Sequence, residues 1–526
     1  MKPKEYNHNY DNYIGGEWKP AKSSSLEVIK SVNPAAKGML ISTTPDSGKH
    51  EIDEAVGCAL EAKSNWAALP MGARASLLEA LANAADSRLE DLGRLVTDSM
   101  GKIIAEGKGD IVFANLSLRY FAAQAREQQG EVYSSAVPGK KSYTLRKPRG
   151  VAGIISPWNF PAMIPIGWQA APALVFGNPV VIKPSEDSPE LVAEYAKMAE
   201  EVGFPKGVFN IVFGEGPKAG EALALNPDVN TVLFTGSSVV GKHLRQATSD
   251  PKFCDKLFFG ELGGKNGVIV SNKGDYATAL AACWKSIVAT TNQRCVSASK
   301  IIVDSKLLPR FADDLAELLE MTQIGYGMAP GVDMGPLINQ DAVDKYKQHL
   351  QYGKDTWATT LCPGGVLDAP EYKEGYYVKP SLGIMEFDRK RDLSPCSAAP
   401  ILTEEAFSPV ATLVPYKQDI FQALEILNAT EYGLSSAIIS NDINEINKFE
   451  WGAPGIKYVN GATVAAEIHL PFVGEKGSNI SGIPGNAGIV AAVTHSTPVS
   501  VFSLPNPTLA LPPELMEKVK QKSGSV

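Results

Sequence analysis

Cys295 and Glu261 are the two side chains of this 526-residue chain whose surroundings best suit covalent chemistry. Cys295 lies in TTNQRCVSASKIIV, directly after Arg294 and before an apolar run. A neighbouring cation favours the thiolate, the nucleophilic form of cysteine, although most single cysteines are small buried hydrophobes. Glu261 lies among apolar residues in FFGELGGKN. Such surroundings raise the pKa of a carboxylate and suit a general base, although a lone Glu at a strand end is usually a solvated or capping residue.

Polar groups that could complete a site follow three other apolar segments. Asn159, in SPWNFP, carries amide N–H donors that suit a developing oxyanion, or is an ordinary turn residue. Lys183 and Glu186, in VIKPSED, could grip ribose hydroxyls or form a surface ion pair of little energy. Gly236 and Ser237, in FTGSSVVG, precede a predicted helix whose first N–H groups could hold a pyrophosphate. The usual GxGxxG spacing is absent there.

The elements that must position these residues alternate between strands and helices. Apolar spacing predicts helix from residue 49 to about 128 and again at 188–203 and 308–321. From residue 150 onward short apolar runs alternate with such helices, which predicts βαβ units and parallel sheets. Ligands bind beyond the carboxyl ends of parallel strands, so the positions just after 155, 183, 235 and 260 are where a site is expected. The predicted strands are 150–155, 179–183, 207–214, 231–236, 257–264, 267–271, 300–304, 364–366, 409–416 and 457–461, and the segment from about 490 could add an edge strand.

Composition and charge narrow the classes of protein. Hydrophobic residues make up 44% and charged residues 21%, as in ordinary globular proteins. A net charge of −8 and a pI near 5.5 predict no nucleic-acid or anionic-membrane partner. Six cysteines without a CxxC and six scattered histidines predict neither a disulfide scaffold nor a metal site, and reduced thiols fit a cytoplasmic location. The uncharged stretch between Arg149 and Lys183 is long enough to span a bilayer, but its five prolines favour a buried core.

Several motifs in order resemble the aldehyde dehydrogenase superfamily over nearly the whole chain. They are IGGEW (14–18), SVNPA (31–35), SPWNFP (156–161), KPSE (183–186), FTGSSVVG (234–241), ELGGKN (261–266), NQRC (292–295) and EEAFSPV (404–410). Any one motif is weak, but their order leaves little room for coincidence. The interval between Glu261 and Cys295 also fits the family pattern.

This resemblance implies an α/β fold with two doubly wound domains and a small β flap that bridges subunits. The dinucleotide-binding domain is expected at 1–126 and 150–260, and the catalytic domain at 261–462. The bridging, oligomerising segment is expected at 127–149 and 463–505, followed by a C-terminal tail at 506–526. A homodimer or homotetramer is the implied assembly.

The resemblance further implies NAD(P)-dependent oxidation of an aldehyde to a carboxylic acid, of the hydrolytic branch. Cys295 is then the nucleophile, Glu261 the base that activates water, and Asn159 with the Cys295 backbone N–H the oxyanion hole. Glu186 favours NAD, although NADP use stays open. The residues expected at the cofactor are Ser156, Trp158, Lys183, Glu186, Gly236, Ser237, Gly263, Glu405 and Phe407; no metal is expected.

Arg294 and Trp168 are the residues expected to bind the substrate. A guanidinium before the nucleophile could bind an anionic group, so a short semialdehyde bearing a carboxylate is the predicted substrate. Alternatively, Arg294 only lowers the pKa of the cysteine or pairs with a nearby acid. Trp168, with Trp158, Phe160 and Trp284, could line an aromatic tunnel or simply pack in the core.

Two other functions stay open at this point. An acylating relative would pass the thioester to coenzyme A, but it has no need of Glu261. A non-catalytic protein retaining the fold is disfavoured because Cys295, Glu261 and Asn159 are all present. The chain departs from the family pattern at positions that carry no expected catalytic group: Val239, Asn292, Ser408 and the segment 471–482. Asn292, which replaces a glycine, predicts a stiffer loop before the nucleophile.

Overall fold

The computed structural model describes residues 3–22, 28–127, 130–394, 397–417, 419–481, 485–486 and 489–502. The predicted tail at 506–526 and Gly482 lie outside the described residues. The strands are β1 His8–Asn9, β2 Asn12–Ile14, β3 Glu17–Lys19, β4 Val28–Val32, β5 Leu40–Pro45, β6 Val132–Tyr133, β7 Lys140–Pro148, β8 Val151–Ile155, β9 Val180–Lys183, β10 Phe209–Ile211, β11 Val229–Thr235, β12 Leu257–Glu261, β13 Asn266–Val270, β14 Ala298–Asp304, β15 Thr359–Val366, β16 Val378–Ile384, β17 Val410–Tyr416, β18 Tyr432–Gly433, β19 Ser435–Ile439, β20 Ile456–Val459, β21 Pro471–Phe472, β22 Glu475–Lys476, β23 Gly485–Asn486 and β24 Thr494–Phe502.

The α-helices lie mostly between these strands, and two π-helical segments, Met163–Ala170 and Gly216–Gly220, precede the fifth and the seventh of them. They are α1 Lys49–Ala68, α2 Met71–Asp86, α3 Leu89–Met100, α4 Ile104–Gln124, α5 Ala171–Val175, α6 Glu190–Glu201, α7 Glu221–Leu225, α8 Ser238–Ala247, α9 Tyr276–Val288, α10 Leu308–Glu320, α11 Gln340–Thr356, α12 Arg389–Asp392, α13 Pro400–Thr403, α14 Ile420–Asn428, α15 Ile443–Gly452 and α16 Val490–Val493.

The first large sheet has the strand order β12-β11-β8-β9-β10-β2-β3. From β12 to β10 the strands are parallel, and β2 and β3 add an antiparallel hairpin. The chain winds outward from β8 in one direction through β9 and β10, then in the other through β11 and β12. This reversal makes a topological switch point between β8 and β11, where α/β sheets leave a crevice beyond the strand carboxyl ends.

The second large sheet has the order β15-β16-β17-β14-β13-β19-β20 and is parallel except at the β15–β16 pair. The residues Leu262–Lys265 join β12 of the first sheet directly to β13 of the second. The carboxyl edge of the first sheet therefore faces the amino edge of the second. Both the segment before β13 and the segment before β14 enter this junction.

A smaller antiparallel sheet, β24-β7-β6, is separate from the two large ones, although β7 directly precedes β8 in sequence. β24 pairs with β7 along nine residues, from Thr494 opposite Pro148 to Phe502 opposite Lys140. This pairing confirms that the segment after residue 490 forms an edge strand. Val132 on β6 is 88% exposed, so this sheet presents apolar surface to solvent.

Burial explains why these segments form these elements. In α1, Ile52, Ala55, Val56 and Ala59 recur at steps of three and four and are fully buried, as expected for one face of an amphipathic helix. All five residues of β8 are buried, as in strands covered on both faces. Two of the prolines in the uncharged stretch lie in buried helical segments: Pro165 in the π-helical segment 163–170 and Pro172 in α5. Among the described residues no helix is long and apolar enough to cross a membrane.

The α/β class with parallel sheets is confirmed, but two interior strands of the second sheet, β16 and β19, escaped prediction. β19 is the short segment SSAII, buried throughout between β13 and β20. Its two serines make the segment too polar to be recognised as a buried strand from its sequence. They are buried because their hydroxyls donate to the carbonyls of Thr463 and Pro454.

Candidate active site

Two cavities share Cys295 and Ile164. The first has a volume of about 300 Å³ and the second about 140 Å³. The first lies beyond the carboxyl ends of β8, β11 and β12, at the switch point of the first sheet. Its walls are formed by Pro157, Trp158, Asn159, Ile164, Thr235, Gly236, Ser237, Leu262, Gly263, Cys295, Ile338, Asn339, Asp341, Ala342, Lys345, Glu405 and Phe407.

The segment before Cys295 has an unusual backbone. Thr290, Thr291 and Asn292 have φ values of 53°, 56° and 61°, in the left-handed region. This region costs a β-branched residue roughly 1–2 kcal/mol, while Asn tolerates it better. Asn292, which stands where the family has glycine, donates its side-chain amide to the carbonyls of Ile287 and Ala298 at 3.0 and 3.1 Å. The predicted stiff loop is therefore a strained loop with its own hydrogen bonds.

Further hydrogen bonds fix the backbone on either side of the nucleophile. Asn159 Nδ2 donates to the carbonyl of Gln293 at 3.0 Å, and Gln293 Oε1 accepts from the backbone N–H of Ile338. Asn266 Nδ2, at the start of β13, donates to the carbonyl of Cys295 at 2.6 Å. The two sheets thus hold the nucleophile segment from both sides.

The Cys295 thiol is protonated at neutral pH in this environment. Burial, together with the carboxylates of Glu405 and Glu261, raises its pKa to about 12. The expectation that Arg294 favours the thiolate is therefore wrong. The guanidinium of Arg294 is occupied by Glu106, which offsets its charge. A base must remove the thiol proton before Cys295 can act as a nucleophile.

Glu261 ends β12 and is 5% exposed. Asn479 Nδ2 donates to its Oε1 at 2.8 Å, while Oε2 is buried without a hydrogen-bond partner in the described part of the chain. Burial raises the pKa of Glu261 well above its usual range, opposed by donation from Asn479 and the Gly485 N–H. The upward shift predicted from its apolar neighbours is confirmed. The charge of Glu261 contributes to raising the pKa of the Cys295 thiol, but Glu261 itself lines neither of the two cavities that share Cys295.

Glu405 reaches the first cavity over the Gly263–Gly264 turn. The backbone N–H of Gly264 donates to its Oε1 at 2.8 Å. Burial raises the pKa of Glu405, and Lys345 and the Gly264 N–H lower it. Behind it, burial lowers the pKa of Lys265 to about 7, and the Lys265 ammonium has no hydrogen-bond partner within the described residues.

Phe407 and Trp158 form an aromatic wall of the same cavity. Their rings meet edge to face with centroids 5.6 Å apart. Phe407 has a φ of 51°, so its backbone is strained next to the site. Ser408, which replaces a glycine of the family pattern, is buried directly behind it.

The predicted anion-binding end of this cavity is formed by Gly236 and Ser237. Ser237 caps α8 by accepting from the backbone N–H of Val240, so the first turn of α8 begins at the cavity wall. A side chain at Gly236 would come within 2.7 Å of the Phe234 ring. Val239, the departure on this helix, is 80% exposed.

Three residues expected at the cofactor do not line the cavity walls. Lys183 Nζ and Glu186 Oε2 form an ion pair of 2.6 Å just past β9. Coulombic attraction to Lys183 and a hydrogen bond from the Gly216 N–H hold the pKa of Glu186 below its usual value against its burial. Ser156 follows β8, and its hydroxyl is buried without a partner in the described part of the chain.

The second cavity contains charged side chains of both signs. Its walls are formed by Glu106, Gly109, Asp110, Phe113, Phe160, Met163, Ile164, Trp168, Arg294, Cys295, Val296, Val464, Ala466 and Phe472. Arg294 Nη2 donates to Glu106 Oε1 at 2.8 Å, and its Nε donates to Thr290 Oγ1 at 2.8 Å. Arg294 therefore pairs with a nearby acid, as one of the two interpretations holds, and it also lines the second cavity.

Aromatic side chains close the rest of the second cavity. Trp168 packs against Phe472 with centroids 4.9 Å apart, and Phe160 lies 5.3 Å from the Arg294 guanidinium carbon. Lys102, fully buried and paired with Asp110, lies over the same Phe160 ring at 3.6 Å. Trp284 lines neither cavity: it packs against the core around α9 and α10 and donates to Thr322, so the core-packing alternative holds for this residue.

Comparison with known proteins decides the family. A model of the aldehyde dehydrogenase family matches residues 18–497. The chain belongs to the aldehyde dehydrogenase family. The predicted family, fold class and enzyme class are thereby confirmed.

Three relatives give this aldehyde dehydrogenase its context. The α-ketoglutaric semialdehyde dehydrogenase of Bacillus subtilis is 36% identical over 90% of this chain and 94% of its own length. The 2-aminomuconic semialdehyde dehydrogenase of Mus musculus is 32% identical over 89% of this chain and 93% of its own. The structure of betaine aldehyde dehydrogenase from Staphylococcus aureus in complex with NAD+ has a TM-score of 0.86 and 26% identity, covering 94% of this chain and 95% of that one.

Four residues that contact this site escaped the sequence reasoning. Glu106, Asn266, Asn479 and Lys345 all lie in or beside it. Glu106 and Lys345 stand on helices outside any motif. Asn266 ends the ELGGKN motif and Asn479 lies in the segment 471–482, so their neighbourhoods were the available signals.

Proposed function

We propose that this enzyme oxidises a short aldehyde bearing an anionic group to the carboxylic acid, with NAD as hydride acceptor and hydrolysis of a Cys295 thioester. One observation carries the proposal. Cys295 lies where a cavity at the switch point of the first sheet meets a smaller cavity that contains Arg294. A nucleophile shared by two such cavities can bring a cofactor and a substrate to the same carbon.

The residues of the first cavity fit a dinucleotide. Ser237 and the first turn of α8 offer N–H groups to a diphosphate, and the orphaned Ser156 hydroxyl offers a buried hydrogen bond. Lys183 and Glu186 would hold the adenosine ribose, and Glu405 and Phe407 the nicotinamide half. When bound, NAD would accept the hydride that leaves the thiohemiacetal carbon as its oxyanion re-forms a carbonyl, and this loss gives the Cys295 thioester. The Glu186 carboxylate would accept from a ribose hydroxyl and repel a 2′-phosphate, which favours NAD over NADP.

In the acylation half, the thiol of Cys295 gives up its proton to water, and the sulfur adds to the aldehyde carbon. The carbonyl electron pair moves to oxygen and forms a thiohemiacetal oxyanion. Asn159 uses one of its two side-chain N–H groups on Gln293, so the other can donate to this oxyanion, as can the Cys295 backbone N–H. Loss of one such donor typically costs ~3–4 kcal/mol in the barrier.

In the hydrolytic half, Glu261 removes a proton from water, and the oxygen adds to the thioester carbon. The carbon–sulfur bond then breaks, and the Cys295 sulfur leaves with its electron pair. A raised pKa suits Glu261 to this role because a general base works best when its pKa lies near the working pH. An acylating enzyme would use coenzyme A instead of water, and a buried base at Glu261 disfavours that alternative.

The second cavity limits the substrate in size and charge. At about 140 Å³ it resembles the ~150 Å³ cavity that admits benzene, so a chain of about six to nine non-hydrogen atoms fits. Arg294 has five N–H donors and spends two on Glu106 and Thr290, so it retains donors for a carboxylate. Two relatives named for semialdehydes support this class. The domain boundaries at 126, 150, 260 and 462 and a homo-oligomer remain predictions.

An aldehyde panel tests the proposal. Purified enzyme would be assayed with α-ketoglutaric semialdehyde, succinic semialdehyde, butanal and acetaldehyde, each with NAD and with NADP, with and without coenzyme A. We expect kcat/KM for the anionic aldehydes to exceed that for butanal by about 10- to 100-fold, the range of one good charge-assisted contact. Cys295→Ser should abolish turnover. Equal rates with butanal, or strict dependence on coenzyme A, would refute the proposal.

A further inference from the structure

The strained segment before the nucleophile, residues 290–292, is held at its first residue by a side chain of α4. Glu106, in the first turn of α4, accepts the backbone N–H of Thr290 on its Oε1 at 3.0 Å. The other two strained residues have partners close by in sequence or within the second sheet's loops: Thr291 Oγ1 donates to Gly335, and Asn292 donates to three carbonyls. The backbone N–H of Thr290 is therefore held by Glu106, while its carbonyl accepts from Gln293 within the same segment.

The same carboxylate oxygen also anchors the residue directly before Cys295. Glu106 Oε1 accepts from Arg294 Nη2 at 2.8 Å, and Arg294 Nε donates back to Thr290 Oγ1. These three contacts close a ring that joins α4 to both ends of the five-residue segment 290–294. The Glu106 and Arg294 side chains are only 17% and 14% exposed, so water screens their attraction weakly.

We propose that Glu106 is a positioning residue for Cys295. Its carboxylate fixes the 290–294 segment, and this places the sulfur and the backbone N–H of Cys295 for attack and oxyanion binding. The inference rests on the proposed role of Cys295 as the nucleophile. It goes beyond that role because it assigns the geometry of the nucleophile to a helix distant in sequence.

If Glu106 acted only on substrate binding, its removal would change KM rather than kcat. A carboxylate facing the second cavity repels an anionic aldehyde and occupies Arg294, so its removal should lower KM for such a substrate. Positioning acts instead on kcat, for charged and neutral aldehydes alike. The two effects therefore separate when kcat and KM are measured on both kinds of substrate.

Glu106→Ala and Glu106→Gln test the proposal. The glutamine retains an oxygen that can accept from both Thr290 and Arg294 but lacks the charge, whereas alanine removes every contact. For Glu106→Ala we expect kcat to fall roughly 10- to 100-fold on both butanal and succinic semialdehyde, the cost of a small misplacement of reacting groups. Glu106→Gln should keep kcat within about threefold of wild type and lower KM for succinic semialdehyde, because only the repulsion is lost.

Glu79→Ala is the matched control, because Glu79 also accepts from an arginine, Arg126, but on the exposed surface. Thermal unfolding of each variant checks the fold. The rate of Cys295 alkylation by iodoacetamide is measured in parallel and does not depend on turnover. It should change at least about fivefold in Glu106→Ala and stay at the wild-type value in Glu106→Gln and Glu79→Ala.

Wild-type kcat on butanal in Glu106→Ala, or equal losses in the Ala and Gln variants, would overturn the positioning role. Failure of the proposed function gives a different pattern: Cys295→Ser would then retain turnover. If Glu106→Ala does not fold, the kcat of Glu106→Gln relative to wild type still tests the proposal. A loss above tenfold in Glu106→Gln would contradict it, because the glutamine oxygen should keep the contacts to Thr290 and Arg294.

Discussion

Gly263 and Glu405 approach each other so closely that a side chain on the glycine would overlap the carboxylate. An ideal Cβ at Gly263 would lie 2.8 Å from Glu405 Cδ. The next residue, Gly264, donates its N–H to Glu405 Oε1. The ELGG turn thus fixes the position of Glu405 beside the first cavity. Gly263 is required by this contact, whereas a Cβ at Gly264 would overlap the carbonyl oxygen of Cys295. Neither glycine has a left-handed backbone.

Gly263→Ala should displace Glu405 and weaken cofactor binding. We expect the Kd for NAD, measured by calorimetry, to rise about tenfold, the value of one charge-assisted hydrogen bond, with little change in the unfolding temperature. Gly57→Ala is the control, since no atom lies within 4 Å of a Cβ at that helical position. An unchanged Kd for NAD in Gly263→Ala would contradict the placement of Glu405 at the cofactor.

Glu261→Gln should separate the two halves of the reaction. The amide accepts hydrogen bonds but cannot take a proton from water, so the thioester accumulates. We expect a burst of about one NADH per site, followed by a steady-state rate reduced roughly 10²- to 10⁴-fold. Stopped-flow absorbance measures both phases, and mass spectrometry detects the acylated Cys295. Steady turnover at the wild-type rate would show that another group activates the water.

The same substitution should stabilise the protein in a pH-dependent way. Burial raises the pKa of Glu261 in the folded state above its unfolded value, so above the unfolded pKa the folded state binds more protons than the unfolded one. Stability then falls as pH rises, a loss that glutamine escapes. Glu261→Gln should therefore gain unfolding temperature over wild type progressively from pH 5 to pH 8. An exposed replacement, Glu79→Gln, serves as the control; a gain independent of pH would contradict the shift.

Sequence motifs located the reacting groups but not the contacts that hold them. Cys295 and Asn159 were predictable because strand ends and glycine turns mark the ligand edge of a parallel sheet. Glu106 was not, because it lies 188 residues from Arg294 on a helix whose apolar spacing gives no sign of the pair. Asn479 likewise reaches Glu261 across 218 residues. For the same reason the net shift in the pKa of the Cys295 thiol was predicted with the wrong sign: a local sequence shows the neighbouring cation but neither its distant partner nor the carboxylates of Glu405 and Glu261.

The protonated thiol makes alkylation of the free enzyme steeply pH-dependent. Because burial raises the pKa of Cys295 to about 12, the thiolate fraction should grow about tenfold per pH unit between pH 7 and 10 without a plateau. Peptide mass spectrometry after timed iodoacetamide treatment measures the rate at this one cysteine. Cys295→Ala identifies labelling elsewhere. A plateau below pH 9 would mean that a cation near the sulfur outweighs its burial.

Arg294 should matter for the charge of the substrate more than for the chemistry. Its guanidinium lines the second cavity and retains donors beyond those used by Glu106 and Thr290, so an anionic aldehyde can bind it in a forked arrangement. In Arg294→Ala we expect kcat/KM for succinic semialdehyde to fall about 10-fold further than kcat/KM for acetaldehyde. Arg294→Lys keeps the charge without the fork and should lie between them. The loss common to both substrates reports the broken contact with Glu106, and only the difference reports recognition. Equal losses for the two aldehydes would reject an anionic substrate and leave Arg294 with a structural role in the nucleophile segment.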